Sequence, residues 1–186
     1  MLSKQEYLNK LKDIKLISFD VDGTMTDGSM YYLEDGSQAR RYDVKDGVGV
    51  FLLQAAGVKT AMMTTGSVGS IRIRGEKLVM DYVEISIYDK AARLKEICAE
   101  LGITMDEVAH IGDDINDIPA FKAVGLALIV GDAAKQTYPY ADYRLDSNGG
   151  AGAIRELGED YYEIHNKEVS WDVVEAFIHS RALSNG

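Results

Sequence analysis

Short apolar runs that read as strands alternate with helical periods along most of the chain, and nothing constrains its fold more. Lys15-Leu16-Ile17-Ser18-Phe19 breaks off in Asp20-Val21-Asp22-Gly23-Thr24, a buried strand running into a loop. From Asp46 a helix with Val50, Leu53 and Ala56 on one side ends at Gly57, and a strand over 58–63 follows. The spacing then predicts a helix over roughly 68–79, a strand near 82–85, a helix over 89–101 closed by Gly102 and a strand over 108–111. A helix to about 124 and a strand over 126–130 complete the series. Strands and helices in strict alternation make parallel β-α-β units, so the expected fold is α/β, a three-layer, doubly wound parallel sheet with helices on both faces. Sites in such sheets lie at the carboxyl ends of the strands. Two additions flank this pattern. Residues 30–33 and 39–44 around Glu34-Asp35-Gly36 read as a small β-hairpin insertion, and a helix over 3–12 has Ser3 and Glu6 at capping-box spacing. The expected division is a main domain over 1–160 and a helical extension over 161–186, where the period of Trp171, Val174, Phe177 and Ile178 marks a last helix over 169–182.

Charge and cysteine content exclude whole classes of function. Thirty acidic residues against 20 basic ones give a net charge of −10, which repels a nucleic-acid backbone or an anionic membrane. Any anionic substrate must therefore be received by local donors or a cation. Cys98 is the only cysteine and the only histidines are His110, His165 and His179, so neither a disulfide framework nor a Cys/His metal site is expected. Cys98 reads as core, and His110 as structural or surface rather than a ligand. A single thiol, an amphipathic start and no long apolar run fit a cytoplasmic protein without a membrane segment.

The acidic residues cluster where the fold puts its sites. Asp20 and Asp22 stand two apart at a strand end, so both carboxylates can face one pocket, one to attack and the other to move protons. Gly23 lets the backbone turn away sharply. Two carboxylates and a phosphate repel one another, so the arrangement calls for a divalent cation, and oxygen ligands favour Mg²⁺. Asp113 and Asp114 supply further carboxylates at another strand end; Asp114 and Asp117 can also cap a helix or orient neighbours, a supporting role. Thr65-Gly66-Ser67 offers hydroxyls and amides for an anion. Thr64 competes with Thr65, and the glycine that follows favours Thr65. Lys90 supplies a fixed positive charge, and Lys45 and Arg74 are candidates to reach a substrate carboxylate. A calcium loop starting at Asp20 would need a bidentate Glu at its twelfth position, where Tyr31 stands.

In this order the motifs Asp20-Val21-Asp22-Gly23-Thr24, Thr65, Lys90 and Gly112-Asp113-Asp114-Ile115-Asn116-Asp117 resemble those of the haloacid dehalogenase superfamily of phosphotransferases. The resemblance implies Asp20 as nucleophile, Asp22 as acid and base, Thr65 and Lys90 on the phosphoryl group, and magnesium held by Asp20, the Asp22 carbonyl and Asp113. A closer likeness covers roughly residues 14–158. Asp27-Gly28, Tyr31-Tyr32, the segment Asp43-Val44-Lys45-Asp46-Gly47-Val48-Gly49 and Gly149-Gly150-Ala151-Gly152-Ala153-Ile154-Arg155-Glu156 resemble the 3-deoxy-D-manno-octulosonate 8-phosphate phosphatases and the nonulosonate 9-phosphate phosphatases. It implies a Mg²⁺-dependent phosphomonoesterase working through an aspartyl-phosphate on a small phosphorylated sugar acid, with Gly66, Ser67, Lys45 and Arg74 toward the substrate.

Such relatives are typically homotetramers, and spacing agrees. Only 40 residues separate Thr24 from Thr65 and 24 separate Thr65 from Lys90, too few for a cap domain, so a neighbouring subunit would shield the site from water. Ser67 departs from the pattern, since octulosonate phosphatases usually carry Arg after the Thr-Gly pair and some nonulosonate relatives carry Glu. With the extension past 160, this keeps a second expectation open: a phosphatase-like subunit of a larger complex, as in phenylphosphate carboxylases or sialic-acid activation systems.

Overall fold

The computed structural model describes residues 1–67 and 69–184. Its centre is a six-stranded parallel sheet of β1 (Leu16–Phe19), β4 (Lys59–Met63), β5 (Tyr82–Glu84), β6 (Val108–Gly112), β7 (Leu126–Ile129) and β8 (Tyr143–Arg144), in the order β5-β4-β1-β6-β7-β8. The remaining strands, β2 (Thr26–Tyr32) and β3 (Gln38–Tyr42), pair antiparallel with each other as a separate hairpin. The α/β expectation and the hairpin insertion therefore hold, with the hairpin arms beginning and ending a few residues earlier than the turn signals indicate.

Burial explains the central strands. β1, β6 and β7 are buried at every position, as a parallel sheet covered on both faces requires. Alternate side chains supply two cores. Ile17, Phe19, Met62 and Ile111 pack on one face with residues of α1 (Lys4–Leu11), α2 (Val44–Ala55) and α6 (Ala153–Ile164). Leu16, Ala61, Met63 and Val108 pack on the other with α4 (Lys90–Leu101) and α5 (Ile118–Phe121). The capping box of α1 is present, with Ser3 N–H donating to Glu6 Oε2 at 2.9 Å. α4 ends where Gly102 takes φ +66°. Cys98 is core on α4, as expected.

Three segments differ from the periodicity. The helix after Asp117 is a single turn, Ile118–Phe121, because a tighter 3₁₀ turn over Ile115–Asp117 precedes it. α3 spans Gly69–Lys77, and Val68, the expected first residue of that helix, lies outside the described residues. α7 spans Trp171–Ser184 and meets α2 through Phe177, whose ring centroid is 6.0 Å from that of Phe51; residues 185–186 of the expected extension lie outside the described residues. No helix among the described residues is long and apolar enough to cross a membrane.

The chain order reverses at β1, whose neighbours β4 and β6 lead off in opposite directions. That reversal opens a crevice at the carboxyl ends of β1 and β6, and the residues entering it are Asp20 and Asp113.

Candidate active site

Asp20 follows β1 directly and its backbone N–H donates to Ile111 O at 3.0 Å, which locks the strand end against β6. Its carboxylate is almost wholly buried, and it meets Asp113 and Asp117 in a cluster whose ligand oxygens all lie within 4.8 Å of one another. Lys90, the first residue of α4, reaches into this cluster: Nζ donates to Asp20 Oδ1 and, at 2.5 Å, to Asp117 Oδ1. The positive end of a helix is a poor place for a buried ammonium, so these two carboxylates must hold it. Burial disfavours its charge, yet the pull of Asp20 and Asp117 outweighs burial and its pKa is raised.

Asp117 is the best-supported anion of the three. One oxygen accepts from Lys90 and from His110 Nε2 at 3.0 Å, and the other accepts the backbone N–H of Asp113 at 3.1 Å. Burial alone would raise its pKa, but His110 and Lys90 bring it down to about 2. The carboxylate can only accept, so His110 carries its proton on Nε2, and Nδ1, 3.0 Å from Ser18 Oγ, accepts from that hydroxyl. His110 is fully buried and burial lowers its pKa, so it is neutral. The other two carboxyls are pushed the other way. Burial and the Asp117 charge raise Asp20, while Asp113 rises to about 7 through burial and the charges of Asp117 and Asp114. Three carboxylates around one ammonium leave an excess of negative charge.

Glycine makes this crowding possible. Gly23 takes φ +97°, and a Cβ on it would lie 2.1 Å from Asp113 Oδ2. The Gly-rich loop after β8 approaches just as closely, since a Cβ on Gly149 would come within 1.8 Å of the Gly23 carbonyl oxygen.

Asp22 is held apart from the cluster. Arg40, on β3, grips its carboxylate with two nitrogens, Nε to Oδ1 at 2.6 Å and Nη2 to Oδ2 at 3.2 Å. The more loosely held Oδ2 faces Gly66, where a Cβ would come within 3.6 Å of it. In the Thr65-Gly66-Ser67 loop, Thr65 and Ser67 are exposed, while the neighbouring Thr64 is buried and accepts the Gly66 N–H at 3.0 Å. That bond occupies the Gly66 amide. Asp114 is exposed and accepts the Ile115 N–H at 2.7 Å, as a turn cap would. Arg74 lies under the hairpin, donating to Asp43 O at 3.0 Å, and Lys45 opens onto a groove of about 550 Å³ that Arg155 and Glu159 also line. Neither touches the carboxylate cluster.

Sequence reasoning assigned Asp117 a supporting role and missed Arg40, Ser18 and His110 as neighbours of the site. The register that sets Ser18 beside His110 is visible only once β1 and β6 are paired. The hairpin that delivers Arg40 shifts register between Thr26 and Met30, so no spacing in the sequence points from Arg40 to Asp22.

This geometry has relatives. A family model described as haloacid dehalogenase-like hydrolase matches residues 73–157. The 3-deoxy-D-manno-octulosonate 8-phosphate phosphatase KdsC of Haemophilus influenzae is 30% identical over 171 residues, 92% of this chain and 95% of that protein. Among solved structures, the 3-deoxy-D-manno-octulosonate 8-phosphate phosphatase of Moraxella catarrhalis, in complex with magnesium ion, phosphate ion and KDO, superposes with a TM-score of 0.84 at 31% identity, over 95% of this chain and 98% of that one. A subfamily III A hydrolase from Legionella pneumophila reaches 0.87 at 34% identity and 95% of both chains.

Proposed function

Because the chain belongs to the haloacid dehalogenase-like hydrolases, alongside the 3-deoxy-D-manno-octulosonate 8-phosphate phosphatases, we propose that it hydrolyses a small phosphorylated sugar acid through a phosphorylated Asp20. It is a hydrolase of phosphoric monoesters; the substrate, the intermediate and the residue roles are the proposal. The observation that carries it is the Lys90 bridge between Asp20 and Asp117, with Asp113 alongside, at the reversal point of the sheet.

In this reading an Asp20 oxygen attacks phosphorus and the ester P–O bond breaks. Asp22 gives its proton to the departing alkoxide, then takes one from the water that attacks the phosphoaspartate and releases phosphate. Oδ2 is the oxygen for this task, because Oδ1 is the one Arg40 holds tightly. Lys90 fixes the Asp20 carboxylate and presents positive charge to the incoming phosphoryl group, and Thr65 offers its hydroxyl from the end of β4. Ser67, two residues on, extends that loop toward the substrate, and Lys45 would meet it from the groove it shares with Arg155 and Glu159.

The donors fit a hard divalent cation. Carboxylate oxygens are the metal-binding donors gathered in the cluster, where three acidic side chains surround the Lys90 ammonium. Asp20 and Asp113 would hold magnesium with their side chains and Asp22 with its carbonyl, since the Asp22 carboxylate is committed to Arg40. When bound, the ion neutralises charge that accumulates on the phosphoryl oxygens. A homotetramer follows from the same reading. The hairpin tip leaves Tyr32 70% and Leu33 54% exposed, an apolar surface that a neighbouring subunit would cover while shielding the site.

Phosphate release from a panel of phosphorylated sugar acids, neutral sugars, aromatics and nucleotides, with and without Mg²⁺, tests the reading. Metal-dependent turnover strongest on the sugar acids is expected, and turnover that survives Asp20→Asn would overturn the nucleophile assignment.

A further inference from the structure

Behind the carboxylate cluster a polar chain runs down into an apolar layer, and the reaction as drawn does not use it. Alternation along β1 and β6 turns Ser18 and His110 to the face where Leu16 and Val108 pack with residues of α4 and α5. The two strands pair in register there, Ser18 beside His110, and the imidazole Nδ1 lies 3.0 Å from Ser18 Oγ. Nε2 is 3.0 Å from Asp117 Oδ1, the oxygen that also accepts from Lys90 Nζ. Ser18, His110 and Asp117 are wholly buried and Lys90 is 2% exposed, so four polar side chains stand in series beneath the site.

Burying such a chain costs free energy unless every member is paired, and it specifies one arrangement when all are. Asp117 has a partner for each oxygen without His110, namely Lys90 on Oδ1 and the Asp113 backbone N–H on Oδ2. The imidazole adds a second donor to the oxygen that holds Lys90, so the carboxylate is gripped from the β6 side as well as from α4. Ser18 fixes the ring in turn. Its hydroxyl donates to Nδ1, which keeps the ring proton on Nε2, where Asp117 accepts it. Phe121 of α5, its ring centroid 5.5 Å from that of the imidazole, packs beside the ring and brings no competing hydrogen bond.

We propose that His110, its tautomer set by Ser18, is a positioning residue that acts through Asp117 to keep the Lys90 ammonium aimed at the phosphoryl group. The assignment rests on the phosphatase reading, in which Asp20 becomes a phosphoaspartate. Among the described residues Lys90 hydrogen-bonds two carboxylates, Asp20 and Asp117. Once Asp20 is joined to phosphorus its carboxylate charge is gone, and Asp117 is the carboxylate left to hold the ammonium in place while water attacks. The aim of Lys90 then depends on Asp117 keeping its rotamer, which the donor behind it secures.

Glutamine and asparagine separate the two ends of the imidazole, because a Gln side-chain amide reaches the position of Nε2 and an Asn amide only that of Nδ1. The test is kcat and KM, measured with Mg²⁺ on 3-deoxy-D-manno-octulosonate 8-phosphate and on p-nitrophenyl phosphate. His110→Gln keeps a donor for Asp117 and is expected to retain kcat within about threefold, whereas His110→Asn keeps a partner for Ser18 alone and is expected to lose about 10- to 30-fold. KM should stay within about twofold in both, because the fully buried ring does not reach the substrate. The loss should be equal on the two substrates, since Lys90 meets the phosphoryl group and not the leaving group. Ser18→Ala frees the ring and is expected to lower kcat about two- to fivefold. It decides the matter if His110→Asn does not fold, and an unchanged kcat would then overturn the proposal. Equal losses in the Gln and Asn variants, a larger loss in Gln, or a loss carried by KM would overturn the positioning role and leave the phosphatase reading standing. A wild-type protein that hydrolyses neither substrate would overturn both.

Discussion

Asp46 and Asp20 are both buried carboxylates, and their surroundings are built on opposite plans. Asp46, on α2, is 1% exposed and accepts the backbone N–H groups of Gly152, Ile154 and Arg155 at 3.3, 3.0 and 3.1 Å. It caps the start of α6 with a charge that needs no cation, because the amides and the helix dipole supply the compensation. Asp20 is buried as deeply, but its neighbours are two more carboxylates and one ammonium. Burial raises the pKa of both residues, against three amide bonds at Asp46 and against Lys90 at Asp20, where the charges of Asp117 and Asp113 add to the rise. A buried carboxylate answered by the backbone completes the fold. One left among like charges lacks a full counter-charge, and on the proposed reading a bound cation supplies it.

The comparison breaks if Asp20 behaves as Asp46 does. Asp20→Asn is expected to lower kcat by roughly 10³-fold or more while leaving the melting temperature equal or higher, because it removes a charge from a crowded anionic cluster. Steady-state kinetics and a thermal melt on the same preparation check both halves. Next in size is metal removal: a chelator should reduce turnover by about 100-fold or more, with recovery on adding Mg²⁺. Asp46→Ala should do the reverse of both. It strands three amides at the head of α6, so it is expected to destabilise the protein by about 2–4 kcal/mol in denaturant melts while kcat stays within a few-fold.

The smallest effect sharpens the contrast through pH. Asp113 titrates near 3.8 when unfolded and near 7 in the fold, so the folded state holds this proton longer. Its contribution to stability is complete below about pH 4 and is lost as pH rises to 7. In metal-free protein the melting temperature should therefore drift down over that window, and the gain on adding Mg²⁺ should grow across it. Asp113→Asn should flatten this dependence, with melts at pH 5, 6, 7 and 8 as the check.

How much of this was legible in the sequence depends on whether the chemistry or the register decides. Asp20 and Asp113 stood out because strand ends in a parallel sheet converge, whereas Lys90, at a helix start, stood out only through its place in the ordered series of motifs. Asp117 read as a helper because helical spacing places it a turn away. The 3₁₀ turn over Ile115–Asp117 instead swings it back over β6, so that a Cβ on Gly112 would lie 2.2 Å from Asp117 Oδ2. The glycine after Thr65 favoured that residue over Thr64, and the structure assigns the two hydroxyls different surroundings: Thr64 turned inward onto Gly66 N–H, Thr65 exposed. Arg40 and Asp46 were illegible as partners for a different reason. One reaches its carboxylate through a bulged hairpin and the other contacts amides more than 100 residues away, and no local pattern encodes either distance.

The central claim is that Asp20 carries the phosphoryl group during turnover. Rapid acid quenching with substrate and Mg²⁺, followed by mass spectrometry of the proteolysed chain, addresses it directly. A phosphoryl adduct on the peptide bearing Asp20, absent from Asp20→Asn, is the predicted result. Turnover with the adduct on another residue, or with water oxygen entering phosphate and no adduct at any time point, would contradict it.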